Sequence, residues 1–168
     1  MLASRRNVAR ESSMAHVRIL KNPSSFIRVC YFTNSAVGLG CANRREDLLL
    51  VQFLLKSISR KTDPDAHEMF AVPAERPLGI DRVCGPGTVA AIKRFQTFTI
   101  GDRNPNSPKV DGQIDVSRPG HPFTTRTKSV YTIIVLNVNF GYFNGSERHA
   151  ALFSEPEFPY ELTDILFA

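Results

Sequence analysis

The 168-residue chain carries a net charge of +5, with 42% hydrophobic and 22% charged residues. That is the balance of one ordinary globular domain able to bury a core. Its basic residues are scattered apart from Arg5, Arg6 and Arg10, so the charge describes no nucleic-acid interface. No apolar run reaches the roughly 18 residues a spanning helix needs, so no membrane span is expected.

Residues 1–14 read as a polar, disordered tail, and Met1 and Met14 are both candidate starts. The basic amino end lacks an apolar h-region and a small-residue cleavage site, so no Sec signal is expected. The chain is then cytoplasmic, or reaches the periplasm by a non-Sec route. Residues 15–36 read as a β-hairpin. The run His16–Leu20 alternates, Asn22-Pro23-Ser24-Ser25 is a turn signal, and Phe26–Phe32 is rich in β-branched and aromatic residues. A lone hairpin is marginal, so it must pack on something.

Gly38 and Gly40 break a loop, after which Asn43-Arg44-Arg45-Glu46 has the form of a capping box, with asparagine at the N-cap. The helix it opens runs to about Ile58. Leu48, Leu49, Leu50, Val51, Phe53, Leu54, Leu55 and Ile58 cover most of its circumference, leaving Gln52, Lys56 and Ser57 as the polar side. Such a helix is buried on most sides. Residues 59–77 form a charged, proline-bearing loop of a length that is often functional.

A second helix follows. Gly85 can serve as N-cap and Pro86 as its first residue, where a missing N–H costs nothing. Val89, Ile92, Phe95 and Gln96 make its inner face, and Lys93 and Arg94 point away. Residues 101–108 are a turn-rich loop, and Val110–Asp115 starts another element. Residues 131–143 have strand-like β-branched content and helical spacing at Ile133, Leu136 and Phe140, with Asn144-Gly145 as a stop; the expectation is helix. Arg148–Phe153 and Pro159–Leu166 read as short helical turns.

Val51-Gln52-Phe53-Leu54-Leu55, then Asp81-Arg82-Val83-Cys84-Gly85-Pro86-Gly87-Thr88, then Ala90-Ala91-Ile92-Lys93-Arg94-Phe95-Gln96 resemble the peptidoglycan-binding-domain-like family. Its pattern is a Val-x-x-Leu-Gln-x-x-Leu helix, an Asp-Gly-x-Phe-Gly-Pro-x-Thr turn and an Ala-Val-x-x-Phe-Gln helix. The likeness covers roughly residues 37–140. Arg82 replaces the family's glycine, Cys84 its bulky aromatic and Gly87 a polar residue. The resemblance implies a mainly α fold: a three-helix peptidoglycan-binding-like core over 37–140 with the 59–77 loop inserted, an amino-terminal hairpin, and a carboxy-terminal helical extension over 141–168.

It further implies a non-catalytic cell-wall binding module; with no export signal expected, a type VI secretion or phage-derived system is the candidate route to the wall. The partner is peptidoglycan, through its glycan or stem peptide, and the candidate ligand-binding residues are Asp81, Arg82, Gly85, Thr88 and Lys93. Each has a plainer reading beside it: Asp81 as an Asx-turn residue, Thr88 as a first-turn hydroxyl on backbone, the cations as solvated surface charge. The alternative is a protein–protein adaptor on the same fold, using an apolar carboxy-terminal surface of Phe153, Phe158, Tyr160 and Phe167.

No enzyme is expected. His16, His67, His121 and His149 are far apart in sequence, and Asp63, Asp65, His67 and Glu68 lack zinc-hydrolase spacing. Nor is a metal or cofactor expected: Asp102–Asn106 opens like a calcium loop, but Ser107 and Gln113 stand where glycine and glutamate are required. Cys30, Cys41 and Cys84 read as free thiols, with a Cys41–Cys84 disulfide as the alternative.

Overall fold

The structure, a computed structural model, describes residues 15–19, 29–59, 70, 75–100, 110–118, 121 and 129–166. The expected tail, the hairpin turn at 22–25, most of the 59–77 loop, the 101–108 loop and Phe167 lie outside the described residues.

Among the described residues the chain is helix-rich, with two small two-stranded sheets. In order come β1 (His16–Ile19), β2 (Val29–Phe32), β3 (Val37–Gly38), α1 (Arg45–Ser59), α2 (Pro86–Ile100), β4 (Gln113–Ile114), α3 (Thr132–Asn144) and α4 (Ser146–Ala150). Two 3-10 turns (Leu152–Ser154 and Tyr160–Leu162) and α5 (Thr163–Leu166) end it. Strand β1 pairs antiparallel with β2, His16 opposite Phe32, and β3 pairs antiparallel with β4, Val37 opposite Ile114.

Helix α1 is the centre of the core, packed against α2, α3 and the turn at Tyr160–Leu162. Its eight apolar residues from Leu48 to Ile58 are all buried, as the sequence predicts. Gln52 is buried with them, at 0% exposure, so the polar side is narrower than its composition suggests. Phe53 meets the rings of Phe140 at 6.0 Å and Phe158 at 5.2 Å. Phe158, read from sequence as part of an outer apolar surface, is thus half-buried against the core.

The start of α1 differs from the capping-box reading. The first intrahelical bond runs from Leu48 N–H to the Arg44 carbonyl, which places the N-cap at Arg44. Asn43 sits one residue earlier in the left-handed region (φ 50), which asparagine tolerates. Its side chain turns back on the preceding loop, accepting from Gly38 N–H at 2.8 Å and donating to the Gly38 and Cys41 carbonyls at 2.9 Å each. Asp47, fully buried, ties down the other approach to the helix: it accepts from Asn34 N–H, Ser35 N–H and the Ser35 hydroxyl.

Residues 132–144 are helical despite their β-branched content. Ile133, Leu136, Asn137, Phe140 and Gly141 form one buried face at helical spacing, and packing on α1 and β2 outweighs a weak local preference. Asn137 donates to the Tyr31 carbonyl at 2.9 Å and accepts from Tyr31 N–H at 2.8 Å. It thereby completes the edge of β2 that β1 leaves open.

Candidate binding groove beside the Asp81 turn

The segment from Asp81 to Thr88 is fixed from beneath by one side chain. The Gln52 carboxamide oxygen accepts from Asp81 N–H (3.1 Å) and Arg82 N–H (3.0 Å). Its nitrogen lies 2.8 Å from Asp81 Oδ1, 3.0 Å from the Val83 carbonyl and 3.1 Å from Thr88 Oγ1. Asp81 Oδ1 also accepts from Val83 N–H at 3.0 Å, an Asx-turn. The Thr88 hydroxyl donates to the Val83 carbonyl at 3.2 Å. Both residues therefore have the local backbone role that their sequence setting suggests.

The same construction recurs one helix later. Gln96 of α2, buried at 1% exposure, accepts from Gly112 N–H at 2.9 Å and donates to Asp111 Oδ1 at 3.0 Å and the Gln113 carbonyl at 2.8 Å. Asp111 Oδ1 accepts from Gln113 N–H at 2.9 Å. Gly112 is left-handed at φ 75, and Arg82, at the matching place in the first turn, at φ 67. A helix with a central glutamine, followed by an aspartate turn with a left-handed second residue, is thus built twice.

Against the first turn lies an open groove of about 450 Å³, lined by Glu75, Arg76 and Pro77, by Asp81, Val83, Pro86 and Thr88, and by Gly79, Gly85 and Gly87. Gly87 is required by close approach: a Cβ there would lie 2.3 Å from the Pro77 carbonyl oxygen. A Cβ at Gly85 would meet nothing within 4 Å, so space alone does not demand glycine there.

Of the five residues singled out in the sequence, Asp81, Gly85 and Thr88 border this groove. Arg82 turns elsewhere, forming an ion pair with Glu161 of the carboxy-terminal segment. Lys93 is exposed on α2, and its aliphatic stem lies over Gly112 of the second turn. Sequence reasoning missed Gln52 as the residue that holds the turn, and Glu75 and Arg76 as groove walls. A lone glutamine in an otherwise apolar helical run was the available signal for the first. The walls come from a stretch with no local pattern.

Comparison with family models, with curated proteins and with solved structures finds no match for this chain. No helix among the described residues is long and apolar enough to cross a membrane.

Proposed function

We propose that the chain is a non-catalytic binding module that takes cell-wall glycopeptide, the stem peptide of peptidoglycan with its adjoining sugar, in the groove beside the Asp81–Thr88 turn. The observation that carries this reading is the groove itself: an open cleft set on a turn that one buried glutamine holds rigid. Its walls carry a cation, Arg76, and two carboxylates, Glu75 and Asp81, with backbone-rich glycine and proline surface between. A stem peptide offers carboxylates and amines, and its sugar offers hydroxyls, so walls of both signs suit it. A preformed site binds without the cost of ordering a loop. The motif likeness supports the same assignment, and the twice-built glutamine–aspartate turn supports a repeat-like three-helix core. In this reading the amino-terminal hairpin and the carboxy-terminal segment are additions to that core.

Pelleting with purified peptidoglycan sacculi tests the proposal. The chain is expected in the pellet at low and moderate salt, and Arg76→Ala and Asp81→Asn are expected to release it. Retention of the chain in the supernatant at every salt concentration would refute wall binding.

A second reading, a protein-binding adaptor, is favoured by the exposed rings of Tyr142 (81%), Tyr160 (80%) and Phe153 (53%), since exposed aromatic surface is typical of interaction sites. It gains if pelleting fails and Tyr142→Ser with Tyr160→Ser abolishes capture of a defined partner.

A further inference from the structure

Among the residues that line the groove, Glu75, Arg76, Asp81 and Thr88 have polar side chains. The Thr88 hydroxyl is already engaged, donating to the Val83 carbonyl at 3.2 Å and lying 3.1 Å from the Gln52 nitrogen. The Val83 carbonyl is engaged as well, by Thr88, Gln52 and the Gly85 N–H. Asp81 divides its carboxylate. Its Oδ1 accepts from Gln52 Nε2 at 2.8 Å and from Val83 N–H at 3.0 Å. Its Oδ2 lies over Gly79, where a Cβ would stand 2.9 Å from it. Any side chain at position 79 would crowd that oxygen, and glycine leaves it uncovered. Among the described residues Asp81 Oδ2 accepts no hydrogen bond, and Glu75 and Arg76, both exposed, form no ion pair.

The groups left for a ligand are therefore two carboxylates against one guanidinium, an excess of one negative charge in the groove. Ionised carboxylates only accept hydrogen bonds. A primary ammonium matches them, with one positive charge and three N–H donors, and its bonds to carboxylate are the strong, charge-assisted kind. An acylated amine has no charge and one N–H, and leaves a carboxylate unpaired.

We propose that the groove takes the free ammonium group of the diamino acid in a stem peptide, so that the module selects peptide that is not cross-linked through that amine. The inference rests on the wall-binding reading and names the part of the glycopeptide that the groove recognises. Cross-linking acylates this amine, which removes its charge and two of its donors. Arg76 remains for a carboxylate of the same peptide.

The test is pelleting of the full chain with two preparations of one batch of sacculi, untreated and N-acetylated with acetic anhydride. Soluble competitors are a disaccharide-peptide monomer with its side-chain amine free and the same monomer acetylated at that amine. The chain is expected to bind acetylated sacculi roughly tenfold more weakly, and the free-amine monomer to compete roughly tenfold better than the acetylated one, the effect of losing one charge-assisted bond. Glu75→Gln or Asp81→Asn is expected to shrink the ratio between the two monomers. Equal binding to both preparations would overturn the inference and leave wall binding standing. A loss on acetylated sacculi with equal competition by the two monomers would place the amine on the sugar, and overturns it too. A full ratio retained in both variants would show that these carboxylates do not read the amine. Binding to neither preparation would refute wall binding itself, and the inference with it.

Discussion

Replacing Gln52 by leucine keeps the bulk of the side chain in the core and removes its polar end. Two backbone N–H groups, of Asp81 and Arg82, lose their acceptor, and the Val83 carbonyl, Thr88 hydroxyl and Asp81 carboxylate lose a donor. A carboxamide has two N–H hydrogens, so the three contacts at its nitrogen amount to two full bonds; four bonds are lost in all. At about 1 kcal/mol net for each, the cost is about 4 kcal/mol. For a chain of this size, that is a fall of roughly 8–16 °C in Tm.

Urea or thermal unfolding followed by circular dichroism measures the loss. Amide hydrogen exchange locates it, with Asp81 and Arg82 N–H expected to lose protection first. Gln52→Glu sharpens the test. It places a carboxylate where the nitrogen faced Asp81 and the Val83 carbonyl, so it is expected to destabilise more at pH 7 than at pH 4. A loss below about 1 kcal/mol in Gln52→Leu, with unchanged protection in the turn, would refute the claim that this side chain holds it.

Gly38→Ala is expected to cost more than about 2 kcal/mol, because its Cβ would lie 2.1 Å from the Gly112 carbonyl oxygen and the residue sits at φ +130; chemical denaturation reads this directly. Arg82→Gly relieves a left-handed arginine and gives up a partly exposed ion pair with Glu161, so the two effects largely offset and stability is expected to change by less than about 1 kcal/mol. Arg82→Val keeps the strain, worsens it with a β-branched side chain and is expected to be the less stable of the two. His149, at 1% exposure, has its pKa lowered to about 4 by burial among the Tyr31 and Phe140 rings. Burial thus favours its neutral form, and its contribution is full above pH 6.5 and lost as pH falls toward 4, about 3 kcal/mol in all. Asp47, raised by burial, acts in the opposite sense, so the check is the difference between the parent and His149→Gln across that pH range, with the histidine titration followed by NMR.

The network around His149 also fixes its proton. Asn137 donates its nitrogen to the Tyr31 and Ile133 carbonyls, so its oxygen is the atom 3.0 Å from His149 Nε2. That oxygen can only accept, and the neutral imidazole therefore carries its hydrogen on Nε2. Asn137, Asn43, Gln52 and Gln96 share one device: a side-chain amide offers a donor and an acceptor on the same group, which matches a peptide unit. In a small chain with short strands, these amides pair backbone that no neighbouring strand reaches.

The sequence by itself determined the helices. Leucine-rich periodicity placed α1, Gly85-Pro86 and the spacing of Ile92, Phe95 and Gln96 placed α2, and Asn144-Gly145 ended α3, because caps and helical periodicity act within a few residues of chain. It also pointed to the Asp81 turn, through an aspartate, a glycine–proline pair and a threonine at fixed offsets. What only the tertiary structure decided is every partner at long range. Asn43 was legible as a helix cap, yet its amide turns back to Gly38. Gln52 was legible as surface, yet it is buried on a turn 29 residues away. Arg82 was legible as a groove cation, yet it meets Glu161. A polar side chain goes wherever an unpaired backbone group or charge is brought within reach, and that depends on how the helices pack rather than on the residues beside it.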